Sequence, residues 1–213
     1  MVQVLNRSSN EAAPSGRVQR RNEARRLDIL RAAARVFRRL GVAATGMREI
    51  AGEADLSPGN LYYYFEGKDE ILLFCQERTL ERLAAAVKAA RAVPGSWANR
   101  LRSVLSGHVR CVLDELEGAT AHLEVEALPE DMRAGVVRKR DAYERAVRAL
   151  VAEGVRAGEF APADPALVTR AMLGAVNWTA RWYRHDGARS VAEIAESLSG
   201  YLVRGLMPAR KSR

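Results

Sequence analysis

Residues 57–65, with the sequence SPGNLYYYF, combine side chains that suit contacts with a nucleic acid. The Ser57 hydroxyl can cap a helix, and Pro58 suits the first helical position, where a missing N–H costs nothing. The three consecutive tyrosines at 62–64 point in different directions on a helix, so they cannot all be buried. Phenols donate hydrogen bonds to phosphate, and an asparagine amide can bond an adenine edge twice. A short helix that exposes such groups after a capped turn is typical of the recognition helix of a helix-turn-helix.

The segments before this helix have the pattern of its supporting helices. Thr45 is a good N-cap residue, and the apolar residues that follow it recur at helical spacing. A longer helix is predicted over about 20–40, with an apolar stripe and with Gly41 as a natural stop. The stripe of the longer helix is Leu27, Leu30, Ala34 and Phe37, and that of the shorter helix is Met47, Ile50, Ala51 and Ala54.

The positive charge of the chain is concentrated near its N-terminus. The 213 residues carry a formal net charge of +8, and residues 17–48 alone hold ten arginines against Glu23 and Asp28. The rest of the chain is therefore neutral in aggregate. A basic block on a balanced protein favours a polyanionic partner, and a solvated arginine-rich helix face is the alternative. Arg17, Arg20 and Arg21 could enter a minor groove as an arm, or remain solvated.

Residues 24–74 resemble the DNA-binding domain of the TetR family of transcriptional regulators. The remainder of the chain is similar to the family in being all-helical and of the right length. One departure is Gly46, where the family more often has a second hydroxyl residue, so one phosphate contact is missing here. The resemblance implies an all-α fold, with an N-terminal three-helix helix-turn-helix domain and a C-terminal helical ligand-binding and dimerisation domain. The matching pieces are Gly41, Thr45, REIA at 48–51, Ser57-Pro58-Gly59, LYYYF at 61–65, and Lys68 before an acidic pair.

The resemblance also implies which residues contact an operator. Arg48 is expected to reach a guanine or a phosphate, because a guanidinium can bond a guanine edge twice. Leu61 and Phe65 are interpreted as core, and partial burial against the first helix is the alternative for Tyr64. The other predicted contacts are Gly59, Asn60, Tyr62 and Tyr63 at the groove, and Thr45, Tyr64 and Lys68 on the DNA backbone.

Three regions are predicted along the chain. Residues 1–19 lack periodicity and are interpreted as a mobile basic arm. The helix-turn-helix domain follows over 20–67, and a helical ligand-binding and dimerisation domain without strand patterns covers 68–207. The helices of this last domain are predicted at 68–91, 96–117, 119–128, 130–157, 165–184 and 190–206.

The last two predicted helices, within 165–206, have stripes that suit a homodimer interface. Small residues let helices approach closely, and large aromatic residues supply buried area. Packing within one chain must use part of each stripe. Resemblance to the family, whose last two helices pair as a four-helix bundle, favours dimerisation, which would hold two half-sites at once. The stripes are Leu167, Ala171, Ala175, Trp178 and Trp182, then Val191, Ile194, Leu198, Tyr201 and Gly205.

The middle helices are predicted to enclose an effector pocket. His108 lies on an apolar stripe one turn before Cys111, although such a histidine is also common as a satisfied core residue. Residues 177–184, NWTARWYR, are similar to acyl-CoA-responsive members of the TetR family that govern lipid or steroid breakdown. A small hydrophobic or acyl-CoA-type effector is therefore expected. The predicted pocket residues are His108, Cys111, Tyr143, Trp178 and Trp182, whereas Arg138, Arg140, Arg145 and Arg148 are expected to be solvated or, with a phosphate-bearing ligand, to bind it.

Enzymatic classes are disfavoured by the residue types. The sequence has no phosphate-cradling glycine loop, nucleophile elbow or clustered metal motif. His122 and Glu126 could form half of a metal site, but a third ligand is missing. We therefore expect no enzyme activity, metal or cofactor. A ligand-responsive repressor is the leading interpretation, and a constitutive DNA-binding or architectural protein is the alternative. A polar-lined cavity would favour the first, and a solid core the second.

Compartment signals are few. No apolar run approaches the roughly 18 residues of a membrane span, and no signal-peptide pattern is visible. Cys75 and Cys111 are isolated in predicted helices, which favours a reducing cytoplasm over a disulfide scaffold.

Overall fold

Every regular element is a helix in the computed structural model, which describes residues 16–113, 124–184 and 186–209. The predicted all-α fold is confirmed. A short 3₁₀ turn, Val125–Ala127, precedes the sixth α-helix. The α-helices are α1 (Gly16–Leu40), α2 (Met47–Glu53), α3 (Pro58–Tyr64), α4 (Lys68–Ala92), α5 (Trp97–Leu113), α6 (Glu130–Arg156), α7 (Pro165–Trp182) and α8 (Val191–Arg204).

The first three helices share one apolar core. Helix α2 packs on α1 and α3, and α1 also packs on α4. Ile50 of α2, together with Leu61 and Phe65 around α3, is buried against the apolar side of α1. The prediction that Leu61 and Phe65 are core residues is confirmed. Because α3 is anchored by this one side, its opposite side faces solvent.

The turn between α2 and α3 has the local signals read from the sequence. Asp55 has a φ of 52°, in the left-handed region that aspartate tolerates better than most residues. Ser57 is the N-cap of α3, and its Oγ accepts a hydrogen bond from the Asn60 N–H at 3.2 Å. Pro58 is the first residue of α3, as predicted. The geometry of this turn fixes the direction in which α3 leaves α2.

The start of α2 differs from the prediction. Gly46, not Thr45, is the N-cap residue, and the Glu49 side chain accepts the Gly46 N–H at 3.0 Å. The Thr45 hydroxyl instead donates to the Gly41 carbonyl at 2.7 Å. The prediction that Thr45 caps α2 is therefore wrong, because its hydroxyl is used one step earlier to close the loop after α1.

Most helix boundaries agree with the prediction within a few residues. Helix α1 begins at Gly16, so residues 16–19 are helical rather than part of an arm. The predicted helix 119–128 is represented by the 3₁₀ turn alone within the described residues. The segment 114–123, which would hold the end of the predicted helix 96–117, lies outside them.

Helix α4 connects the helix-turn-helix to the remaining helices. Near its start, Glu70 pairs with Arg26 of α1, with Nη2 and Oε1 3.3 Å apart. Near its end, Arg91 pairs with Glu153 of α6 at 3.0 Å. Helix α5 lies at the centre of the C-terminal part, because it packs on α4, α6, α7 and α8. The predicted apolar stripe of α5 is buried and consists of Leu101, Leu105, His108 and Val112.

Candidate DNA-binding surface and ligand cavity

Helix α3 presents an exposed polar and aromatic surface. Tyr62 is 54% exposed and Tyr63 is 75% exposed, although tyrosine usually buries most of its ring. Gly59 and Asn60 are also exposed, and no atom approaches within 4 Å of the position a Gly59 side chain would take. Arg48 of α2 is exposed as well. The structure thus leaves these five residues accessible to a groove, and their contacts with DNA stay a prediction.

Tyr64 differs from its two neighbours. It is half-buried against the core, and its ring meets the Tyr63 ring edge-on, with centroids 5.0 Å apart. Its carbonyl accepts a hydrogen bond from Arg26 Nη1 at 2.7 Å. The structure therefore favours partial burial, the alternative interpretation of Tyr64, over a purely external role.

Two predicted phosphate contacts have internal partners instead. Thr45 is only 3% exposed, and its hydroxyl is bonded to Gly41, so this conformation does not offer it to phosphate. Lys68 is half-buried, and its Nζ donates to the Val42 carbonyl at 2.9 Å. An ammonium has three donors, so Lys68 retains capacity for a phosphate. The contacts of Thr45 and Lys68 with phosphate both stay predictions.

Several arginines of the basic block hold the fold together. Arg35 and Arg39 of α1 both bond the Glu53 carboxylate of α2, with Nε and Oε1 2.6 Å apart in the closer pair. The Arg35 hydrogen bond is the main cause that holds the pKa of Glu53 below its ordinary value. Because Arg35 and Arg39 offset its charge, the Glu53 carboxylate near the recognition surface repels DNA phosphates less than an unpaired carboxylate would. Exposed arginines remain at the start of α1 and in α2, namely Arg17, Arg20, Arg21 and Arg48.

A polar cavity of about 250 Å³ lies among α4, α5, α6 and α7. His108 and Tyr143 both line it, and Tyr143 Oη lies 3.0 Å from His108 Nδ1. Two of the predicted pocket residues therefore line the same cavity, and their contact with a ligand stays a prediction. A cavity with polar walls, rather than a solid core, was the feature expected of a ligand-responsive protein. The other lining residues are Leu80, Arg140, Asp141, Glu144, Arg170, Leu173, Gly174 and Asn177.

Three other predicted pocket residues lie elsewhere. Cys111 is buried close to Tyr143 but does not line the cavity. Trp178 is 64% exposed and Trp182 is 50% exposed, both on the outer side of α7. The two tryptophans therefore lie outside this cavity, because the face of α7 that packs on α5 and α6 carries Asn177 instead, and their contact with a ligand stays a prediction.

Sequence reasoning did not single out Asn177 as a cavity residue, and it left Arg140 between solvation and binding of a phosphate-bearing ligand. Arg140 is half-buried at the cavity, and burial lowers the pKa of its guanidinium. A signal was present in the spacing, since Arg140 and Tyr143 are three apart and Arg170, Leu173 and Asn177 follow helical periodicity. Polar residues at helical spacing on two helices that pack together, here α6 and α7, can line one cavity from both sides.

The cavity histidine is neutral at physiological pH. Burial is the main cause that lowers the pKa of His108 to about 4; a hydrogen bond with Asn177 opposes the shift, and Arg140 contributes to it. Burial also raises the pKa of Tyr143 above its ordinary range, so the phenol keeps its proton. The pair therefore offers an uncharged hydrogen-bonding surface to a ligand.

This depressed pKa predicts acid sensitivity. An unfolded histidine has a pKa near 6.5, so between pH 6.5 and about 4 the unfolded state binds more protons than the native state. The stabilisation that His108 gains by remaining neutral is complete above pH 6.5 and is lost as the pH falls to 4, with a total of about 3 kcal/mol. We expect the free energy of unfolding, measured by urea denaturation, to fall more steeply from pH 7 to 4.5 in the wild type than in His108→Gln. Parallel pH dependences would contradict the assignment.

The described residues were also compared with the requirements of a metal site and of a membrane span. Within them, no group of three or more potential ligands could hold a metal ion. His122 lies outside the described residues, and Glu126 is paired with Arg133, with Nη1 and Oε2 2.5 Å apart. No helix in residues 16–113, 124–184 or 186–209 is both long and apolar enough to cross a bilayer.

Comparisons with known proteins agree with this architecture. Residues 29–74 match the family model described as bacterial regulatory proteins, tetR family. Residues 94–206, more than half of the chain, match the model described as tetracyclin repressor-like, C-terminal domain. Together the two models cover the helix-turn-helix and helices α5 to α8, three of which form walls of the polar cavity or pack beside it.

Individual relatives span nearly the whole chain. The HTH-type transcriptional repressor KstR2 of Mycobacterium tuberculosis is 26% identical over 89% of this chain and 96% of its own length. The crystal structure of the TetR family transcriptional regulator PfmR from Thermus thermophilus has a TM-score of 0.76 at 32% identity, covering 84% of this chain and 99% of PfmR. The structure of AibR in complex with isovaleryl coenzyme A and operator DNA has a TM-score of 0.73 at 22% identity, covering 86% of this chain and 98% of AibR. This likeness shows the fold alone. We conclude that the chain belongs to the tetR family of bacterial regulatory proteins and that it is a regulator of transcription with a helix-turn-helix DNA-binding domain.

Proposed function

We propose that this protein is a ligand-responsive repressor that binds a near-palindromic operator as a homodimer and releases it when a small molecule binds. The observation that carries the proposal is the pair of exposed phenols, Tyr62 and Tyr63, on a helix anchored from behind by Leu61 and Phe65. A rigid helix with an exposed polar face is what insertion into a major groove requires. As a regulator of bacterial genes, the protein is placed in the cytoplasm, where its DNA is.

The homodimer is proposed to form through the outer faces of α7 and α8, within residues 165–206. Leu167 and Trp178 of α7 are 67% and 64% exposed, and Tyr201 of α8 is 69% exposed. Next to them, a groove of about 680 Å³ is lined by apolar residues that include Trp182, Ile194 and Leu198. A contiguous exposed apolar surface of this kind marks an interface. A second copy of the chain would cover it and would hold two recognition helices at once.

Some residues of the predicted interface stripes are exposed, and others are buried within the chain. On α7 the predicted residues Leu167, Ala171, Trp178 and Trp182 are exposed and available to a partner. On α8, Ile194 is buried within the chain, whereas Tyr201 and Gly205 are exposed. One face of α8, with Ile194, Ser199 and Val203, therefore belongs to the monomer core along the whole helix, and the opposite face to the proposed interface.

The effector is proposed to occupy the polar cavity beside His108 and Tyr143. A constitutive architectural protein would have no reason to keep an open cavity with polar walls inside its dimerisation domain. An acyl-CoA-type molecule is supported by AibR, whose structure was determined with isovaleryl coenzyme A and operator DNA. The cavity and that relative favour the ligand-responsive interpretation over the constitutive one.

Helix α4 is proposed to carry the signal. It packs on α1 of the helix-turn-helix and on α5 and α6 beside the cavity. Two recognition helices must lie about 34 Å apart to occupy successive major grooves. A ligand that binds one position of α4 better than another changes this separation, and DNA must weaken ligand binding by the same factor.

Selection of bound duplexes from a random library tests the proposal. We expect the wild-type protein to enrich a near-palindrome with half-sites about 10 base pairs apart, with an affinity that falls steeply as salt rises. Trp178→Glu should convert the dimer to a monomer, because an unpaired charge would be buried in the interface, and should lower affinity for the full site at least about 100-fold. Light scattering and anisotropy titration measure the two effects.

Val137→Glu is the matched control for this experiment. Val137 is an exposed apolar residue of α6 outside the proposed interface, so the same substitution there should change neither mass nor affinity. A wild-type protein that is monomeric at micromolar concentration, or that enriches no duplex, would refute the proposal.

A further inference from the structure

We propose that the effector is an amphipathic anion that spans two cavities, with an oxygen-bearing end beside His108, an apolar body between α4 and α6, and its negative group at a cationic rim. This inference rests on the proposed function, because it specifies the effector of the same regulator. The inference specifies which chemical groups of the effector each of the two cavities would bind.

The second cavity lies between α4 and α6 and has a volume of about 450 Å³. Its walls are mostly small or apolar side chains, so the space between the helices is wide enough for a hydrocarbon body. Apolar surface in such a trough is favourably covered by hydrocarbon rather than water. The apolar wall residues are Leu80, Ala84, Val87, Ala142, Tyr143 and Ala146.

Leu80 and Tyr143 line both cavities, so their side chains are the partition between them. The inner cavity, at about 250 Å³, is smaller than the roughly 300–1,000 Å³ of typical small-molecule sites. Joined to the 450 Å³ outer cavity, it falls within that range. Rotation of one phenol ring would join them, and a ligand oxygen could then take the place of the Tyr143 hydroxyl beside His108.

The inner end favours a polar group without net charge. Arg140 and Arg170 there are offset by Asp141 and Glu144, and neutral hydrogen-bonding atoms come from His108, Tyr143 and Asn177. When the Tyr143 hydroxyl moves away from His108, a hydroxyl or ketone oxygen of the ligand replaces that hydrogen bond, whereas a hydrocarbon terminus does not. The cost of losing this hydrogen bond gives the site discrimination between the two.

The outer end selects an anion. Lys88, Arg91 and Lys139 line the outer cavity against a single acid, Glu81. Arg91 and Lys139 also reach across the groove to Glu153 and Glu77, respectively, so they connect α4 with α6. A carboxylate or phosphate at this rim would gain charge-assisted hydrogen bonds from the same cations. It would compete with the two ion pairs that hold α4 against α6, which is the displacement that the proposed release of DNA requires.

A panel of decanoate derivatives tests this chemistry with the purified full chain and no DNA. The probes are decanoate, ω-hydroxydecanoate, the coenzyme A thioesters of both acids, and ω-hydroxydecylamine as the cationic counterpart. Calorimetry should show binding of the hydroxy acid or of its thioester about tenfold tighter than that of the unsubstituted compound, the factor expected for one hydrogen bond of average strength. The amine should not bind. The free acid and the thioester distinguish a carboxylate from phosphate as the anion at the rim.

Two substitutions locate the ligand. Ala142→Phe fills the outer cavity and should abolish binding, whereas Ala134→Phe, an exposed position of the same helix outside the cavity, should not. His108→Leu should remove the preference for the hydroxylated compound, because the ring beside which the ligand oxygen is proposed to lie is gone. Circular dichroism confirms that each variant is folded.

The outcomes separate this inference from the proposed function. If no compound of the panel binds, if the amine binds as well as the acids, or if Ala142→Phe binds normally, the inference is wrong. Operator binding by the empty dimer, and its release by some compound of different chemistry, would leave the proposed function intact.

Discussion

Replacing Tyr62 or Arg48 with alanine should weaken operator binding at least about 30-fold and leave the dimer and its thermal stability unchanged. Both side chains are exposed, so neither is part of the core that sets stability. A good contact with a base edge is worth about 1–3 kcal/mol, and a symmetric dimer makes each contact twice. Anisotropy titration with the selected duplex at fixed salt measures the affinity, and a thermal melt measures the stability.

The controls separate the kinds of contact. Tyr62→Phe keeps the ring and removes the hydroxyl, so it distinguishes packing on thymine methyl groups from a hydrogen bond to phosphate. Arg110→Ala removes the same charge from an exposed position of α5, far along the chain from the recognition helix, and should leave affinity unchanged. If Arg48 contacts phosphate, its loss lowers the salt dependence of binding; if it reads a guanine, its loss relaxes specificity at one base pair. Normal binding by both alanine variants would show that the recognition surface is elsewhere.

The recognition helix could be predicted from sequence because its signals are local. The N-cap at Ser57, the proline after it and three adjacent tyrosines restrict a short helix to one arrangement, whatever packs around it. The alternation of Leu61 and Phe65 with exposed phenols then identifies the buried side. Such features depend on neighbours within a few residues.

The polar cavity depends on tertiary packing, and sequence reasoning reached only part of it. His108 and Tyr143 were found because a polar atom on an apolar stripe stands out within one helix. Asn177 was missed and Arg140 was left undecided, because they become cavity walls only when α6 and α7 meet at a particular rotation. Trp178 was assigned both to the pocket and to the interface stripe, because its size and position on α7 do not by themselves say which way the helix turns it; α7 turns it outward. Thr45 shows the same limit on a smaller scale, because one hydrogen bond to Gly41 withdraws its hydroxyl from the surface.

Replacing Arg26 with alanine should weaken operator binding at least about tenfold, although Arg26 is not proposed to contact a base. Its Nη1 donates to the Tyr64 carbonyl at the end of α3, and its Nη2 bonds Glu70 in the first turn of α4. The guanidinium also lies 4.1 Å from the centroid of the Phe65 ring and 4.8 Å from that of Phe74. One side chain thus joins α1, the end of the recognition helix and the start of α4.

The expected loss of operator affinity in Arg26→Ala follows from the contacts of this side chain. Hydrogen bonds that involve a charged group contribute about 1.5–3 kcal/mol, and a cation over an aromatic ring about 0.5–2 kcal/mol. Losing them lets α3 sample orientations that do not fit the groove, and a cost of about 1.4 kcal/mol already lowers affinity tenfold. Arg26→Lys should restore little, because an ammonium cannot bond both oxygens and stack on a ring as a planar guanidinium does.

Spin-label distances between the two recognition helices of the dimer measure the orientation directly. Cys75 and Cys111 are both buried, and burial raises the pKa of the Cys75 thiol to about 12, so an added exposed cysteine can be labelled selectively. In the Asn60→Cys background, the distribution of distances should be narrow with Arg26 present and broad in Arg26→Ala, without DNA in the sample. Arg25→Ala is the control, because it removes the same charge from α1 but its partner, Asp28, lies on its own helix. A variant with unchanged width and unchanged operator affinity would show that α4 is joined to the recognition helix by packing alone. A broadened distribution would instead identify Arg26 as the contact through which movement of α4 reaches the DNA.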